Sequence, residues 1–422
     1  MPAYHIWTIG CQMNKAESER LAARFEELGY TAAQSAGEAD LVVLNSCVVR
    51  LSAEERVVNK LYDLRHLKKE KPGIVLALTG CLVDSDTARL KKRFPHVDYF
   101  FKAGESPPWL EKTVGLLLPP RPAPSAYVTI SQGCDNFCSY CIVPYRRGRE
   151  RSRPFAEIVC EAQELVRRGA KEIILLGQNV DSYGRDLAGK PDLADLLSEL
   201  NGIEGLARLR FLTNHPKDMS HKLIKAIANL DKVCEQINLP VQAGSDEILK
   251  AMSRGYTVDR YRRLVAEIHE NVPGIAITTD VIVGFPGEGE ARFGETLDLL
   301  SAIKFATVHV AAYSPRPGTA AARDLPDDVP PGVKKARLAE VERLQESIQA
   351  ADNARLVGGT VEILVEGRKS GKWYGRTRAD KLVFFSSDRD CLGRLVGVRI
   401  EKASAWSLQG VVKTENNIQE EQ

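Results

Sequence analysis

The chain has 422 residues, of which 44% are apolar and 27% charged, and its net charge is +2. That length accommodates two or three domains with cores of their own, the composition excludes a disordered chain, and any nucleic-acid surface must be a local patch rather than a global field. No apolar run reaches the roughly 18 residues that span a bilayer, and no basic start leads into a long apolar core, so a soluble cytoplasmic protein without a membrane partner is expected. Nine cysteines, an odd number, fit thiolate ligands in a reducing compartment better than a disulfide framework.

Residues 4–115 alternate short apolar runs with amphipathic stretches. "HIWTIG" leads to Cys11, "DLVVLNS" to Cys47 and "GIVLALTG" to Cys81, while the segments around Leu21, Phe25 and Leu28 and from Ser52 to Lys71 carry helical spacing. These are βα units of a parallel sheet. Each cysteine follows the C-terminal end of a predicted strand, where such sheets gather ligands, and the cysteines lie 36 and 34 residues apart, about one βαβ repeat. Three thiols are therefore expected at one edge of the sheet.

"LLLPPRPAPSAY", residues 116–127, is a proline-rich break and a candidate linker. After it come six apolar runs, "YVTIS", "EIILLG", "ARLRFLT", "QINLPVQ", "AITTDVIVGF" and "ATVHVAAY", separated by helix-like segments. Six strand–helix repeats predict a partial (β/α)6 barrel, since a closed eight-stranded barrel needs roughly 250 residues. From Gly358 the pattern changes to "TVEILVEG", "WYGRTR", "LVFFSS" and "LVGVRIEKA", the signature of a small β-barrel of OB-like size. "ENNIQEEQ" at the end is expected to fray.

Directly after the first barrel strand, Cys134, Cys138 and Cys141 form CxxxCxxC. Short spacings let one loop wrap an iron–sulfur cube, and three thiolates for four irons leave one iron open to a ligand. A structural zinc knot would want four closed ligands, and no fourth Cys or His lies within the loop. Cys160, Cys234 and Cys391 have no partner at ligand spacing and read as ordinary core or surface residues.

The CxxxCxxC loop with Tyr140 before its last cysteine, at the end of the first strand of a partial barrel, resembles the radical S-adenosylmethionine (SAM) superfamily. "TIGCQMN", "LNSC", "LTGC", "LLGQNVDSYG", "LPVQAGSDEILKAMSRGYT", "TDVIVGFPGE" and "SPRPGTAA" extend the resemblance over nearly the whole chain to the methylthiotransferases. That resemblance implies an N-terminal methylthiotransferase domain (residues 1–118), a radical SAM core (126–355) and a C-terminal TRAM domain that grips RNA (356–418). It implies two 4Fe-4S clusters, one on Cys11, Cys47 and Cys81 and the other on Cys134, Cys138 and Cys141. SAM chelated by the open iron of the second set would yield a 5′-deoxyadenosyl radical. The implied reaction places a methylthio group on carbon 2 of isopentenyl-adenosine 37 in the anticodon stem-loop of tRNA, with two SAM molecules and a reducing electron donor. DNA is not an expected partner, and a monomer is expected.

"LLGQNVDSY" and the cysteine loop favour the isopentenyl-adenosine branch over sister enzymes acting on threonylcarbamoyl-adenosine or on a ribosomal-protein aspartate. A non-catalytic iron–sulfur RNA-binding protein would leave the barrel motifs without a role. Candidate SAM contacts are Tyr140, Gln178, Asn179, Gln242, Ser245 and Gly284, at strand ends on the barrel rim, although each also reads as an ordinary turn residue. Candidate RNA contacts are Arg149, Arg151 and Arg153 in the basic run after the cluster loop, which also reads as a solvated surface, and Trp373, Arg376 and Arg378 in the β-rich segment.

Overall fold

The computed structural model describes every residue except 85, 106, 108, 110–117 and 413–422. Part of the candidate linker, the end of the expected TRAM segment and the tail expected to fray lie outside the described residues.

Five parallel strands, β1 (Ala3–Thr8), β2 (Thr31–Ala32), β3 (Leu41–Ser46), β4 (Val75–Gly80) and β5 (Tyr99–Phe100), form one sheet in the order β2-β1-β3-β4-β5. Its central strand, LVVLNS, is buried at every position because helices cover both faces, which is why it reads as an unbroken apolar run rather than an alternating one. The two-residue edge strands β2 and β5 had no pattern long enough to announce them.

The central unit uses β6 (Ser125–Thr129), β9 (Glu172–Leu176), β10 (Arg208–Phe211), β11 (Gln236–Asn238), β12 (Ala276–Val283) and β13 (Thr307–Ala312), with β7 (Ser131–Gln132) and β8 (Arg151–Ser152) pairing separately. The parallel sets β10-β9-β6 and β11-β12-β13 are joined by a bridge between Leu209 and Val233, so six strands curve into the expected partial barrel. Alternation sorts their side chains. Val128, Ile173, Leu175, Leu209 and Phe211 enter the main core, whereas Ile174 and Leu176 pack with Tyr127 and Leu212 against Met13 and Ala16. Those two residues belong to the N-terminal helix Gln12–Glu27, so that helix leans on the inner face of the barrel.

The helix Pro331–Ala354 leads to a closed barrel of β14 (Thr360–Lys369), β15 (Lys372–Arg376), β16 (Leu382–Ser386), β17 (Leu395–Ala403) and β18 (Leu408–Val412). Four of these strands were expected; β18 completes closure by pairing with both β16 and β17. Its sequence, LQGVV, is short and interrupted by Gln409 and Gly410, which hid it.

The turn after β15 docks on the N-terminal ends of the central strands. Arg208, 1% exposed, donates to the Arg376 carbonyl at 2.7 Å, and Arg210, 3% exposed, donates to the Arg378 carbonyl at 3.0 Å and the Thr377 carbonyl at 3.3 Å. Arg210 also pairs with Glu172 at 3.1 Å and with Gln236 at 3.0 Å. The underside of the partial barrel is thus closed by the appended domain.

Candidate active site between two cysteine triads

The expected gathering of the N-terminal thiols starts from strand register. In β1, β3 and β4, Thr8 lies beside Asn45 and Ser46 beside Gly80, so Cys11, Cys47 and Cys81 leave neighbouring strand ends together. Gly10 approaches so closely that a Cβ there would sit 2.8 Å from the Cβ of Cys47, and the Cys81 N–H donates to the Ser46 carbonyl at 2.8 Å. Buried Asn14 and Asn45 brace this edge: Asn14 donates to Asn45 Oδ1 at 2.8 Å and to the Ser46 carbonyl at 2.9 Å. Burial pushes the Cys81 thiol up to about 11 and raises that of Cys47, which also senses Cys11.

The central triad sits on a loop tied at its neck. β7 and β8 pair, the Cys134 N–H donates to the Gly148 carbonyl at 3.2 Å, and Gly133 holds φ +82° where a Cβ would strike the Arg149 carbonyl. Ser139 anchors the tip through its Oγ to the Ala251 carbonyl at 2.7 Å and its N–H to the Met252 carbonyl at 3.0 Å. Burial raises Cys134 to about 11 and Cys141 to about 12, with Cys138 adding to both.

The two triads share one seam. Ile142, the residue after Cys141, packs in the N-terminal core with Cys47, Val48, Cys81 and Leu82. Arg147 reaches across to Glu17 at 2.6 Å and places its Nε 3.2 Å from Cys81 Sγ. Arg146 pairs with Asp84, and Arg316, from the segment after β13, pairs with Glu54 at 2.7 Å and donates to the Val48 carbonyl.

Around the barrel mouth, each sequence candidate has a definite place. Tyr140 lies edge-on to Phe285 with ring centroids 6.5 Å apart. Gln178 accepts from the Gly133 N–H and so braces the cluster loop. Asn179 donates to Asp218 at 2.9 Å while its buried Oδ1 has no partner. Gln242 is buried in a left-handed conformation, φ 72°, with its N–H on the Asp280 carbonyl. Ser245 is buried at the start of the helix Asp246–Ala251. Gly284, at φ +70°, receives Lys334, whose Cγ would lie 2.3 Å from a Cβ there, and its N–H bonds Glu288.

Three residues at this mouth escaped the sequence reading. Arg254, 4% exposed, places Nη1 3.3 Å from Cys138 Sγ and bonds Tyr256 and the Pro240 carbonyl. Asn214 and His215 follow β10, and their Oδ1 and Nε2 are buried without partners. Burial, aided by Arg254, pushes His215 down to about 3, so the ring is neutral. The polar pair in "LTNHP", ending an apolar run, was the available signal for Asn214 and His215.

The proposed RNA contacts divide. Arg149 is 71% exposed, pairs with Asp135 and lies over the Phe137 ring at 5.4 Å; Arg151 is also exposed. Phe137 and Tyr145, exposed large aromatics packed edge to face at 6.1 Å, join Arg149 on the cluster loop. The other positions depart from expectation. Trp373 is 9% exposed inside the C-terminal barrel, with Nε1 on the Ser387 carbonyl, so its ring offers no stacking face. Arg153 is held by Glu161 at 2.6 Å and the Thr129 carbonyl at 2.7 Å, and Arg378 by Glu235 at 2.7 Å. Half-exposed Arg376 pairs with Asp380 at 3.2 Å.

The donor sets fit iron–sulfur clusters. All six thiols are free of disulfides, and a buried guanidinium faces one sulfur of each triad, which suits an anionic cluster. Among the described residues no three His, Cys, Asp or Glu side chains gather closely enough for one metal ion, whereas a cube spreads its thiolates over separate irons. The unpartnered atoms of Asn179, Asn214 and His215 fit a polar ligand such as SAM.

Residues 128–300 match the Radical SAM superfamily, residues 3–102 the Uncharacterized protein family UPF0004, and residues 354–413 the TRAM domain. Fold and site thus define the class: a radical SAM enzyme with an added thiol-bearing domain. Solved structures share this fold: the radical SAM methyltransferase TsrM from Kitasatospora setae, with cobalamin and a [4Fe-4S] cluster bound, has a TM-score of 0.55 at 14% identity, covering 76% of this chain and 77% of that one. A tRNA-2-methylthio-N(6)-dimethylallyladenosine synthase from Dehalococcoides mccartyi is 57% identical over 97% of this chain and 98% of its own. The enzyme of that name from Chloroflexus aurantiacus is 49% identical over 98% and 92%, and that from Moorella thermoacetica 44% over 96% and 97%. The chain belongs to the tRNA-2-methylthio-N(6)-dimethylallyladenosine synthase family.

Proposed function

We propose that this protein transfers a methylthio group to carbon 2 of isopentenyl-adenosine at position 37 of tRNA. The observation that carries the reading is the shared seam: two thiol triads on the strand ends of two parallel sheets, with Ile142 and Arg147 of one loop lodged against the thiols of the other domain. Cys11, Cys47 and Cys81 would hold one 4Fe-4S cluster, and Cys134, Cys138 and Cys141 the one that binds SAM. Bound there, the cofactors supply an electron for SAM cleavage and a sulfur for transfer, chemistry that no side chain can offer at an unactivated C–H.

The chain's own task is placement. Asn179, Asn214 and His215 would offer buried polar atoms to SAM, with His215 neutral. Tyr140, Gln242, Ser245 and Gly284 shape the remaining rim. Phe137, Tyr145, Arg149 and Arg151 stand exposed on the same loop as the central triad, the mix of aromatic faces and guanidinium groups that stacks unpaired bases and holds phosphates. The target base would be unstacked and delivered beside them. A low-potential electron donor completes the requirements. Nine free cysteines suit a reducing cytoplasm, and the presence of both triads and the RNA-binding barrel in one chain supports action as a monomer.

The test is mass spectrometry of tRNA nucleosides. Cells lacking this protein should accumulate isopentenyl-adenosine without its methylthio derivative, and the purified, reconstituted enzyme should restore it with SAM and reductant. Unchanged methylthio content in the deletion strain would refute the reading.

A further inference from the structure

We propose that Arg147, a residue of the central cluster loop, sets the reduction potential of the cluster held by Cys11, Cys47 and Cys81 in the other domain. The inference rests on the assignment of a cluster to that triad. Arg147 closes the helix Val143–Arg147, six positions after Cys141, and its side chain is 3% exposed. Nε lies 3.2 Å from Cys81 Sγ, while Nη1 and Nη2 grip the two oxygens of Glu17 at 2.6 and 3.4 Å. The thiol that Arg147 touches belongs to the tight edge where Gly10, next to Cys11, closes on Cys47 and the Cys81 N–H bonds the Ser46 carbonyl, so the guanidinium stands at the triad as a whole.

A cube on three thiolates is anionic, and reduction adds one more negative charge. A buried cation donating to a ligand sulfur therefore stabilises the reduced form more than the oxidised one, and the low local dielectric enlarges the difference. Glu17 works in the opposite sense, because its carboxylate partly cancels the guanidinium. Since the cation comes from the central domain, the N-terminal cluster has its working potential only while the two domains are docked.

The central thiols have a similar arrangement within their own domain, where Arg254 Nη1 lies 3.3 Å from Cys138 Sγ. What distinguishes Arg147 is that it crosses the seam. Its bond joins residues 66 positions apart in sequence, and its Glu17 partner lies on the helix that also rests against the inner face of the barrel.

The experiment uses the full chain with Cys134, Cys138 and Cys141 replaced by alanine, so that only the N-terminal triad can bind iron, and follows reduction by EPR-monitored titration. Arg147→Met should shift the reduction equilibrium at least tenfold toward the oxidised form, about 59 mV lower for one electron. Arg147→Lys should recover part of that loss. Glu17→Gln, which frees the guanidinium from its counter-charge, should move the potential upward. Misfolding cannot produce opposite shifts, and if Arg147→Met loses its iron, Arg147→Lys and Glu17→Gln carry the test in their two directions. No iron in the parent would refute the cluster assignment itself. Iron retained with an unmoved potential, or with Glu17→Gln shifting downward, would overturn the role of Arg147 and leave the assignment standing.

Discussion

Arg210→Met should be among the most destabilising single changes in the chain. Arg210 and Glu172 are 3% and 4% exposed and meet at 3.1 Å on neighbouring barrel strands. Removing the guanidinium leaves the Glu172 carboxylate buried with Ser125 as its remaining close hydrogen-bond donor, at 2.6 Å, and takes the Arg210 bond from the Arg378 carbonyl, while the Thr377 carbonyl keeps the Asp380 N–H at 3.0 Å. Breaking a buried pair from one side costs about 3–5 kcal/mol. In a unit of roughly 150–250 residues each kcal/mol lowers Tm by about 2–4 °C, so the expected loss is about 6–20 °C.

The double variant Glu172→Gln/Arg210→Met should melt above Arg210→Met, because the uncompensated charge is gone. Calorimetry of the full chain under reducing conditions measures both. Because the same guanidinium holds the C-terminal barrel, Arg210→Met assayed below its melting point should raise KM for tRNA more than it slows SAM cleavage. A single variant melting within about 2 °C of the parent, or a double variant less stable than the single, would refute the reasoning.

Anaerobically reconstituted protein should carry about eight irons per chain, and replacing either triad by alanine should leave about half, as read by iron and sulfide analysis. Phe137→Ala should weaken tRNA binding by about 1–3 kcal/mol, a loss of about 5- to 150-fold in a filter-binding titration, if its ring stacks on a base; unchanged affinity would remove Phe137 from the RNA surface. Charge removal at both Arg149 and Arg151 should lower turnover on tRNA more than tRNA affinity, and full methylthiolation by that variant would remove them from base delivery. Burial raises the Asp181 carboxyl from 3.8 to about 7, although it accepts from the His215 N–H at 2.8 Å. A folded value above the unfolded one gives stability that is fully present below 3.8 and lost as pH rises through about 7. Between pH 5 and pH 8 the Tm of the parent should therefore fall relative to that of Asp181→Asn, and parallel pH profiles would count against a buried titrating carboxyl.

The thiol triads were legible because parallel strands announce themselves locally. An apolar run ending in a cysteine gives the residue and its height on the sheet, and two further repeats of the pattern give the convergence. The six barrel strands were legible for the same reason. The partners of the arginines were not. Arg153 and Glu161 lie close in the chain, the one just after β8 and the other on the helix Phe155–Arg167, but Arg147 meets Cys81 and Arg378 meets Glu235 across long stretches of chain, and a basic side chain in a run looks alike whether its mate is a phosphate or a carboxylate. Trp373 misled for a related reason: alternation along β15 puts it inside and leaves Tyr374 partly exposed, but the phase of a five-residue strand is hard to fix without its neighbours. Phe137 was overlooked because a lone aromatic between two cysteines reads as filler until its exposure is known.

Arg208 and Arg210 grip the turn after β15 largely by its main chain, through the carbonyl oxygens of Arg376, Thr377 and Arg378. A carbonyl oxygen is the acceptor that every residue carries, whatever its side chain. This part of the joint is therefore written in backbone shape and is indifferent to the letters that occupy the turn. Apart from Arg378, which pairs with Glu235, and Lys381, which pairs with Asp352, side chains in "GRTRADK" can change to suit a different RNA while the barrel keeps its seat, provided that the left-handed bend at Asp380, φ 63°, survives. The casualties of drift lie on the other side of the joint, where two arginines have no substitute that reaches several carbonyls at once.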